Sequence, residues 1–594
     1  MSWQLEISVG ENVAPKRTML LLAIIALAVL FTACATVTPA PTDEASATPA
    51  AAAEGASQGD VADDSLPQAL SMNPLACPVE LPAGEVEGES IICGEIAVPE
   101  NWNERAGREI KLTYAIVKAS GTDVLDSPII YFDGGPGISS LTSLSGLSTD
   151  FAHLRQNHDL IFWDQRGNIY SSHLDCPDEI RDPRFALSIE ELEAQATAQA
   201  ATPQPTLDPA LLEPATLEDD PQAYLARERQ LRAFTIRDNN PEANCRHYYA
   251  EQGVDLAAYN TANSVRDAVA LMGALNYEHY NIYAISYGTT LALEAMRYYD
   301  EPHALALPPI RSVVIDGVSP LAVDMAEQSL IRPYNVLRVF DTCEADTACA
   351  EAYPDIRQRL LDMLARISDT GLMLNDGTQI NIEDLTGLLT LVASSDPEGW
   401  RYLPRLVAEL EQNDGSTYTR LQARASAPVP IGILAMDELD LDLSAAINCN
   451  DRSATLDVER AFAIYRSFAA PQLITDFSPV VGQIIKCESW ELMAAPDALP
   501  NAVTSDIRTL VVNGGMDAQT AVEWGEAAFA TLPNAEMITY PLSPHGASVQ
   551  SECAHSVTAT FFAAPNAALD QACVEEMKPK FALPDDALPL IEPE

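Results

Sequence analysis

The chain has 594 residues, 47% hydrophobic and 20% charged, enough for a large buried core and for more than one compact domain. Its 86 acidic residues against 34 basic ones leave a formal net charge of −52. That balance argues against nucleic acid as a partner, because phosphate binding needs clustered Lys and Arg; it fits a strongly hydrated surface, or a field that draws in cationic substrates such as free amino termini.

Residues 1–34 read as an export signal. Lys16 and Arg17 form a positive start, and an apolar run follows from Met19 to Phe31. The run ends in Phe31-Thr32-Ala33-Cys34, which resembles a bacterial lipobox, with Cys34 as the residue to be lipidated. An uncleaved membrane anchor and plain signal-peptidase cleavage are the alternatives. All three place the body of the protein outside the cytoplasm, and the lipobox makes it a membrane-anchored lipoprotein. Residues 35–72, rich in Ala, Thr, Pro and Ser with no apolar period, read as a disordered tether.

Strand and helix signals then alternate. Strands are predicted at Ile91–Val98, Ile110–Val117, Pro128–Phe132 and Leu160–Trp163. The biased stretch Ala194–Asp220 reads as a surface insertion. A helix at Ala262–Leu275, a strand at Tyr280–Ile285, a helix at Tyr287–Tyr299 and a strand at Arg311–Ile315 follow. The rhythm resumes with strand Thr509–Val512, helix Ala521–Leu532, strand Glu536–Tyr540 and a last helix from Val549. Repeated strand–helix units predict an α/β fold with a mostly parallel sheet covered on both faces. Helical patterns fill the interval: Leu330–Phe340, Ile356–Ile367, Ile382–Val392, Trp400–Gln412 and Val458–Phe468. The division is a core in two parts, 73–319 and 501–594, with a helical cap at 320–500.

Ser286 sits where a strand runs straight into a helix, the context of a nucleophile elbow. The usual Gly-x-Ser-x-Gly here begins with Ala284, and Gly288 keeps the second small position. A serine nucleophile needs a base and a residue to orient it, in the chain order serine, acid, histidine for this fold. Of eight histidines, three follow Ser286. His303 precedes the next core strand, and His555 falls in a predicted helix. His545, in Pro544-His545-Gly546 just past a strand, is the candidate base. Asp517, in the loop after the preceding strand, is the candidate acid, with Asp316 as runner-up. The oxyanion donors would be the backbone N–H of Tyr287 and one from Asp133-Gly134-Gly135-Pro136-Gly137.

The cysteines support export independently. Without Cys34, ten of the eleven remain. Cys77 and Cys93, Cys343 and Cys349, and Cys553 and Cys573 lie at short separations suited to disulfides. Cys176 with Cys245 and Cys449 with Cys487 would complete five bridges, one of the connectivities that ten cysteines allow. No Cys-x-x-Cys or paired His accompanies them, so no metal site and no cofactor is expected.

Asp133-Gly-Gly-Pro-Gly137, Asp164-Gln165-Arg166-Gly167 and Ser286-Tyr287-Gly288-Thr289, with Asp517 and His545, resemble the proline iminopeptidase and tripeptidyl aminopeptidase group of α/β-hydrolases. The resemblance spans roughly residues 73–594. Ile447-Asn448-Cys449-Asn450-Asp451 and Cys487-Glu488-Ser489-Trp490 look like its secreted tripeptidyl branch. It implies an α/β-hydrolase fold and an exopeptidase acting on free amino termini, with Gly135 as the first-loop oxyanion donor and Asp164 and Arg166 as structural braces. Asp133 stands where His is common, and Asn168-Ile169 where Thr-Gly is often found. An ester hydrolase with the same triad, or a non-catalytic binding protein on this fold, would carry many of the same residues. The expected partners are a peptide or small ester substrate and, through the lipid, a membrane. A carboxylate in the cap would be needed to bind an amino terminus. The acidic run Asp437, Glu438, Asp440, Asp442 offers candidates but reads as a solvated face.

Overall fold

Nine strands form one sheet that alternates its side chains between two covered faces. The computed structural model describes residues 70–201, 207–212, 216–300, 307–425, 439–492, 501–577 and 580–587. By contacts the chain divides into Met1–Val61 and Ala62–Glu594, and every described residue belongs to the second unit. The export signal, Cys34, most of the tether, His303, Asp437 and Glu438 lie outside the described residues.

The strands are β1 (Met72–Pro74), β2 (Ile91–Pro99), β3 (Glu109–Val117), β4 (Ile129–Phe132), β5 (Leu160–Trp163), β6 (Tyr280–Ile285), β7 (Ile310–Asp316), β8 (Leu372–Met373), β9 (Gln379–Ile380), β10 (Thr509–Gly514) and β11 (Ala535–Tyr540). The sheet order is β1-β2-β3-β5-β4-β6-β7-β10-β11, while β8 and β9 form a separate small ribbon. From β1 through β2 and β3 to β5 every pairing is antiparallel. From β5 through β4, β6, β7 and β10 to β11 every pairing is parallel. The mostly parallel sheet predicted from the strand–helix rhythm is therefore present.

Burial on both faces explains why the central strands read as continuous apolar runs. Ile130, Phe132, Ile282, Ala284, Val313, Ile315 and Val511 share a core with helices Thr261–Leu275 and Tyr287–Asp300. Their neighbours Ile129, Tyr131, Tyr283, Val314, Leu510 and Val512 pack on the opposite side with Phe561 and Phe562 of helix Glu552–Ala563.

Between β7 and β10 the described chain is mainly helical, with a core of its own around Phe340, Leu364, Leu389 and Leu406. Several ends differ from the sequence reading by a few residues, and two have a plain physical cause. The helix predicted over Trp400–Gln412 opens with a 3-10 turn, and its α-helical part is Leu403–Leu410 with Pro404 in the first turn, where a missing N–H costs nothing. The last long helix starts at Glu552 rather than Val549, because Ser551 caps it by accepting from the Ala554 N–H. Helices Leu441–Arg452 and Ser478–Trp490 are not among those predicted from the sequence.

The ten cysteines are joined as Cys77–Cys93, Cys176–Cys245, Cys343–Cys349, Cys449–Cys487 and Cys553–Cys573. Among the described residues no helix is long and apolar enough to cross a membrane.

Candidate active site

Ser286 occupies the single residue between β6 and helix Tyr287–Asp300, with φ +61°. A non-glycine residue in that left-handed region is strained and persists only where its surroundings hold it. Here the Ser286 N–H donates to the Asp316 carbonyl at 2.9 Å, tying the turn to the end of β7. The turn is also crowded. A Cβ on Gly288 would sit 2.0 Å from the Phe132 carbonyl oxygen, and one on Gly134 would sit 3.0 Å from the Ser286 Cβ. Gly288 is therefore required, whereas Ala284 is accommodated: its methyl is fully buried in the core beside Phe132 and Ile315.

Asp517 and His545 come together across adjacent loops at the carboxyl ends of β10 and β11. His545 Nδ1 lies 2.7 Å from Asp517 Oδ2. A carboxylate can only accept, so Nδ1 carries the proton and Nε2 is left as the acceptor. Nε2 is buried and has no hydrogen-bond partner among the described residues. The Asp517 carboxylate is held by three further donors: the Gln519 and Thr520 N–H groups to Oδ1 at 2.7 and 2.8 Å, and the Thr520 hydroxyl to Oδ2 at 2.6 Å. The Asp517 carbonyl accepts from Asn335 in helix Ile331–Ala345, so that helix braces the Asp517 loop. Burial pushes the His545 imidazole toward lower pKa, but the Asp517 hydrogen bond and charge, helped by Asp316, leave it above its ordinary value.

The three segments adjoin one another. A Cβ on Gly317 would meet His545 Cε1 at 2.8 Å, and one on Gly546 would lie 3.9 Å from Ile285 Cγ2. Thus the elbow, the Asp316-Gly317 turn and the His545-Gly546 turn are packed side by side. Asp316, the runner-up acid, does not hydrogen-bond the histidine. Its Oδ2 accepts from the Ser548 N–H at 2.7 Å and from the Ser548 hydroxyl.

In the glycine loop, Gly134 gives its N–H to Asp133 Oδ1 at 2.7 Å, and the Ser143 hydroxyl donates to Asp133 Oδ2 at 2.7 Å. Gly134 is thus spent inside the loop, and Gly135, with φ +110°, is the next amide along. The other expected donor residue, Tyr287, is pinned by its side chain. Its hydroxyl meets Thr261 Oγ1 at 2.8 Å, and Thr261 donates in turn to Asp451 Oδ2 at 2.6 Å. Burial pushes Asp451 up to about 6, against the Thr261 hydrogen bonds. Sequence reasoning singled out the segment holding Asp451 for its resemblance alone. Nothing in its pattern signalled that it anchors the residue after Ser286.

Asp164 and Arg166 lie beneath these loops. Asp164 accepts from the Ser139 hydroxyl at 2.7 Å and the Tyr170 N–H at 3.1 Å, and burial pushes it up to about 6. Arg166 forms a fully buried two-point pair with Asp267, whose other donor is the Trp102 indole at 2.8 Å. His555 stacks on His153 with ring centroids 4.3 Å apart. The two described carboxylates of the acidic run are not a solvated face. Asp440 pairs with His173 at 2.7 Å, and Asp442 with Arg181 at 2.7 Å and the Tyr249 hydroxyl at 2.8 Å; their side chains are 6% and 4% exposed. Asp442 also neighbours Cys176 and Cys245, but those sulfurs are spent in a disulfide.

The fold is that of the α/β-hydrolases. Sheet order, antiparallel opening strands and the strand–serine–helix turn together define it. One protein family, described as TAP-like protein, matches residues 476–573, the segment that carries Asp517 and His545. A comparison with curated proteins finds no match. Among solved structures, a proline iminopeptidase from Mycobacterium smegmatis is 12% identical over 79% of this chain and 93% of its own, with a TM-score of 0.28. A proline iminopeptidase-related protein from Thermus thermophilus is 12% identical over 84% and 98%, with a TM-score of 0.30. An esterase from a Rhodococcus species is 13% identical over 80% and 99%, also at 0.30. These are loose superpositions, and the fold rests on the chain's own topology.

Proposed function

We propose that the protein is a serine hydrolase that forms an acyl-enzyme on Ser286, with His545 as general base and Asp517 orienting it. The observation that carries this reading is the 2.7 Å bond from His545 Nδ1 to Asp517 Oδ2, which leaves a buried, unpartnered Nε2 on a loop that packs against the segment carrying the strained Ser286. Nε2 takes the serine proton as Oγ attacks the scissile carbonyl. It then passes that proton to the leaving group, and water repeats the sequence to release the acyl group. The N–H groups of Gly135 and Tyr287 hold the negative oxygen of the tetrahedral species.

The substrates in this reading are peptides with free amino termini, from which the enzyme releases amino acids or short peptides. The motif resemblance, the TAP-like match and a net charge of −52 that concentrates cationic ends near the protein support that choice. The test compares amino-acid and tripeptide anilides having free amino termini with blocked anilides and short esters. Faster turnover of the free anilides is expected, and preference for blocked esters would replace the peptidase by a carboxylic-ester hydrolase. Failure of a fluorophosphonate probe to label Ser286 in folded protein would remove both.

The enzyme works outside the cytoplasm, held to a membrane by lipid on Cys34. The five disulfides and the Phe31–Cys34 motif support this placement. Cys34→Ser should release the protein from membranes or block its processing, and unchanged membrane retention would count against the lipid.

A further inference from the structure

Asp316 touches both halves of the catalytic apparatus, yet the mechanism above does not use it. It ends β7, fully buried. Its backbone carbonyl accepts the Ser286 N–H at 2.9 Å. Its carboxylate accepts the Ser548 N–H at 2.7 Å and the Ser548 hydroxyl, three residues beyond His545. The Ser548 hydroxyl also meets the Tyr283 hydroxyl at 2.6 Å, inside β6 and three residues before Ser286. The residue after it, Gly317, lies directly under the imidazole, close enough that a Cβ there would strike Cε1 and Nδ1 at 2.8 and 3.0 Å.

We propose that Asp316 is a positioning residue for the Ser286–His545 pair, joining the nucleophile turn to the base loop and placing a second negative charge beside the imidazole. The inference rests on the serine-hydrolase reading of the site.

A packing role alone does not explain a carboxylate at this position. Burying an ion is costly unless its oxygens are satisfied. Here only Oδ2 is satisfied, and Oδ1 is buried with no hydrogen-bond partner among the described residues. Asparagine would accept from Ser548 equally well without charge. What charge adds is an attraction for the protonated histidine. The groups that face Asp316 are Tyr283 from β6, Tyr131 from β4 with Asp133 beyond it, Tyr540 from β11, Asp517 from the loop after β10, and His545. Of these, His545 is the cation that Asp316 can stabilise, and the two groups favour each other's charged forms. Burial pushes Asp316 up to about 6, with Ser548 and His545 opposing it, so above that pH the second charge is present.

The test is the second-order rate constant for fluorophosphonate labelling of Ser286 between pH 5 and pH 9, which needs a neutral His545 but no knowledge of the substrate. Asp316→Asn should move the acid limb down by about one pH unit, the size expected from removing a nearby buried carboxylate charge, while the high-pH plateau falls less than tenfold. Ser548→Ala removes a donor that favours the charged form of Asp316, so it should move the limb in the same direction by less. If Asp316→Asn does not fold, Ser548→Ala decides alone. A limb at the wild-type position in every folded variant, whatever its plateau, would overturn the inference and leave the hydrolase reading standing. A wild-type protein unlabelled at every pH would overturn both.

Discussion

Gly288→Ala is the sharpest probe of the elbow. The added methyl would stand 2.0 Å from the Phe132 carbonyl oxygen, 2.6 Å from its carbon and 3.0 Å from the Asp133 carbonyl oxygen. An ordinary carbon–oxygen contact is about 3.4 Å, so some 1.4 Å of relative movement is required, roughly the length of a bond. All three obstacles are backbone, and none can swing aside as a side chain would. Phe132 is also the last residue of β4, in register with Ala284 of β6, and it leads directly into the glycine loop. The displacement therefore falls on helix Tyr287–Asp300, the Asp133–Gly137 loop, or both. Overpacking of this kind costs about 1–3 kcal/mol of stability. A misplacement near 1 Å at reacting groups costs about 100-fold in rate. Phosphonylation of Ser286 and urea unfolding measure the two effects separately. Gly387→Ala is the control, because a Cβ there meets nothing within 4 Å in helix Ile382–Ser395; it should be neutral or stabilising by up to about 1 kcal/mol. Wild-type labelling and stability in Gly288→Ala would refute the elbow described here.

Other outcomes follow from the same geometry. His545 must be neutral to act, and its imidazole is held above 6.5, so kcat/KM should rise with pH through a midpoint above that value; a midpoint below it would contradict the Asp517 pairing. The linked stability has the opposite trend: the contribution of His545 is complete below about 6.5 and is lost as pH rises through the folded-state value. Asp517→Asn keeps the shape but loses the charge and the tautomer control, and activity should fall about 10³–10⁴-fold with the fold intact by circular dichroism. Arg166→Ala leaves Asp267 buried without its partner and should cost about 3–5 kcal/mol in urea unfolding. Ala284→Gly should leave turnover within about twofold and cost about 1 kcal/mol, since the methyl fills core space in β6 and does not shape the turn. A large gain in rate would show that Ala284 distorts the elbow.

The sequence was most legible where one periodicity governed a segment. β4, β6, β7 and β10 are buried on both faces, and their apolar runs stand out for that reason. The spacing of Asp517 and His545 from the ends of β10 and β11 could be counted directly, because a parallel strand delivers its loop to one edge of the sheet. What could not be counted were contacts made across the fold by side chains of ordinary appearance. The Thr520 hydroxyl donates to Asp517 Oδ2, and Ser548 holds Asp316, though neither residue belongs to a recognisable motif. Helix Leu441–Arg452 mixes Asp, Asn, Cys and Arg in a pattern with no clean apolar face, because its polar residues are themselves paired inside the protein.

The acidic run shows what that costs a functional reading. Asp440 and Asp442 are in the segment that faces the oxyanion loop: Ile138 bridges to Leu439, and the Asp440 N–H donates to the Gly137 carbonyl at 3.0 Å. Location alone would nominate both carboxylates to bind a substrate amino terminus. Their partners argue otherwise. Asp440 caps its own helix through the Leu443 N–H at 2.8 Å and accepts from His173, while Asp442 already holds Arg181 and Tyr249. Asp440 has both oxygens engaged and Asp442 already holds two donors on Oδ2, so each gains less from a further ammonium group than a free carboxylate would. Asp442→Asn should therefore lower stability by about 1–3 kcal/mol and leave the ratio of kcat/KM for free against blocked anilides unchanged within about threefold. Parallel steady-state kinetics and thermal unfolding of the same preparation would decide. Collapse of that ratio toward one with unfolding unchanged would mean that Asp442 is a substrate ligand and that its pairing with Arg181 gives way when peptide binds.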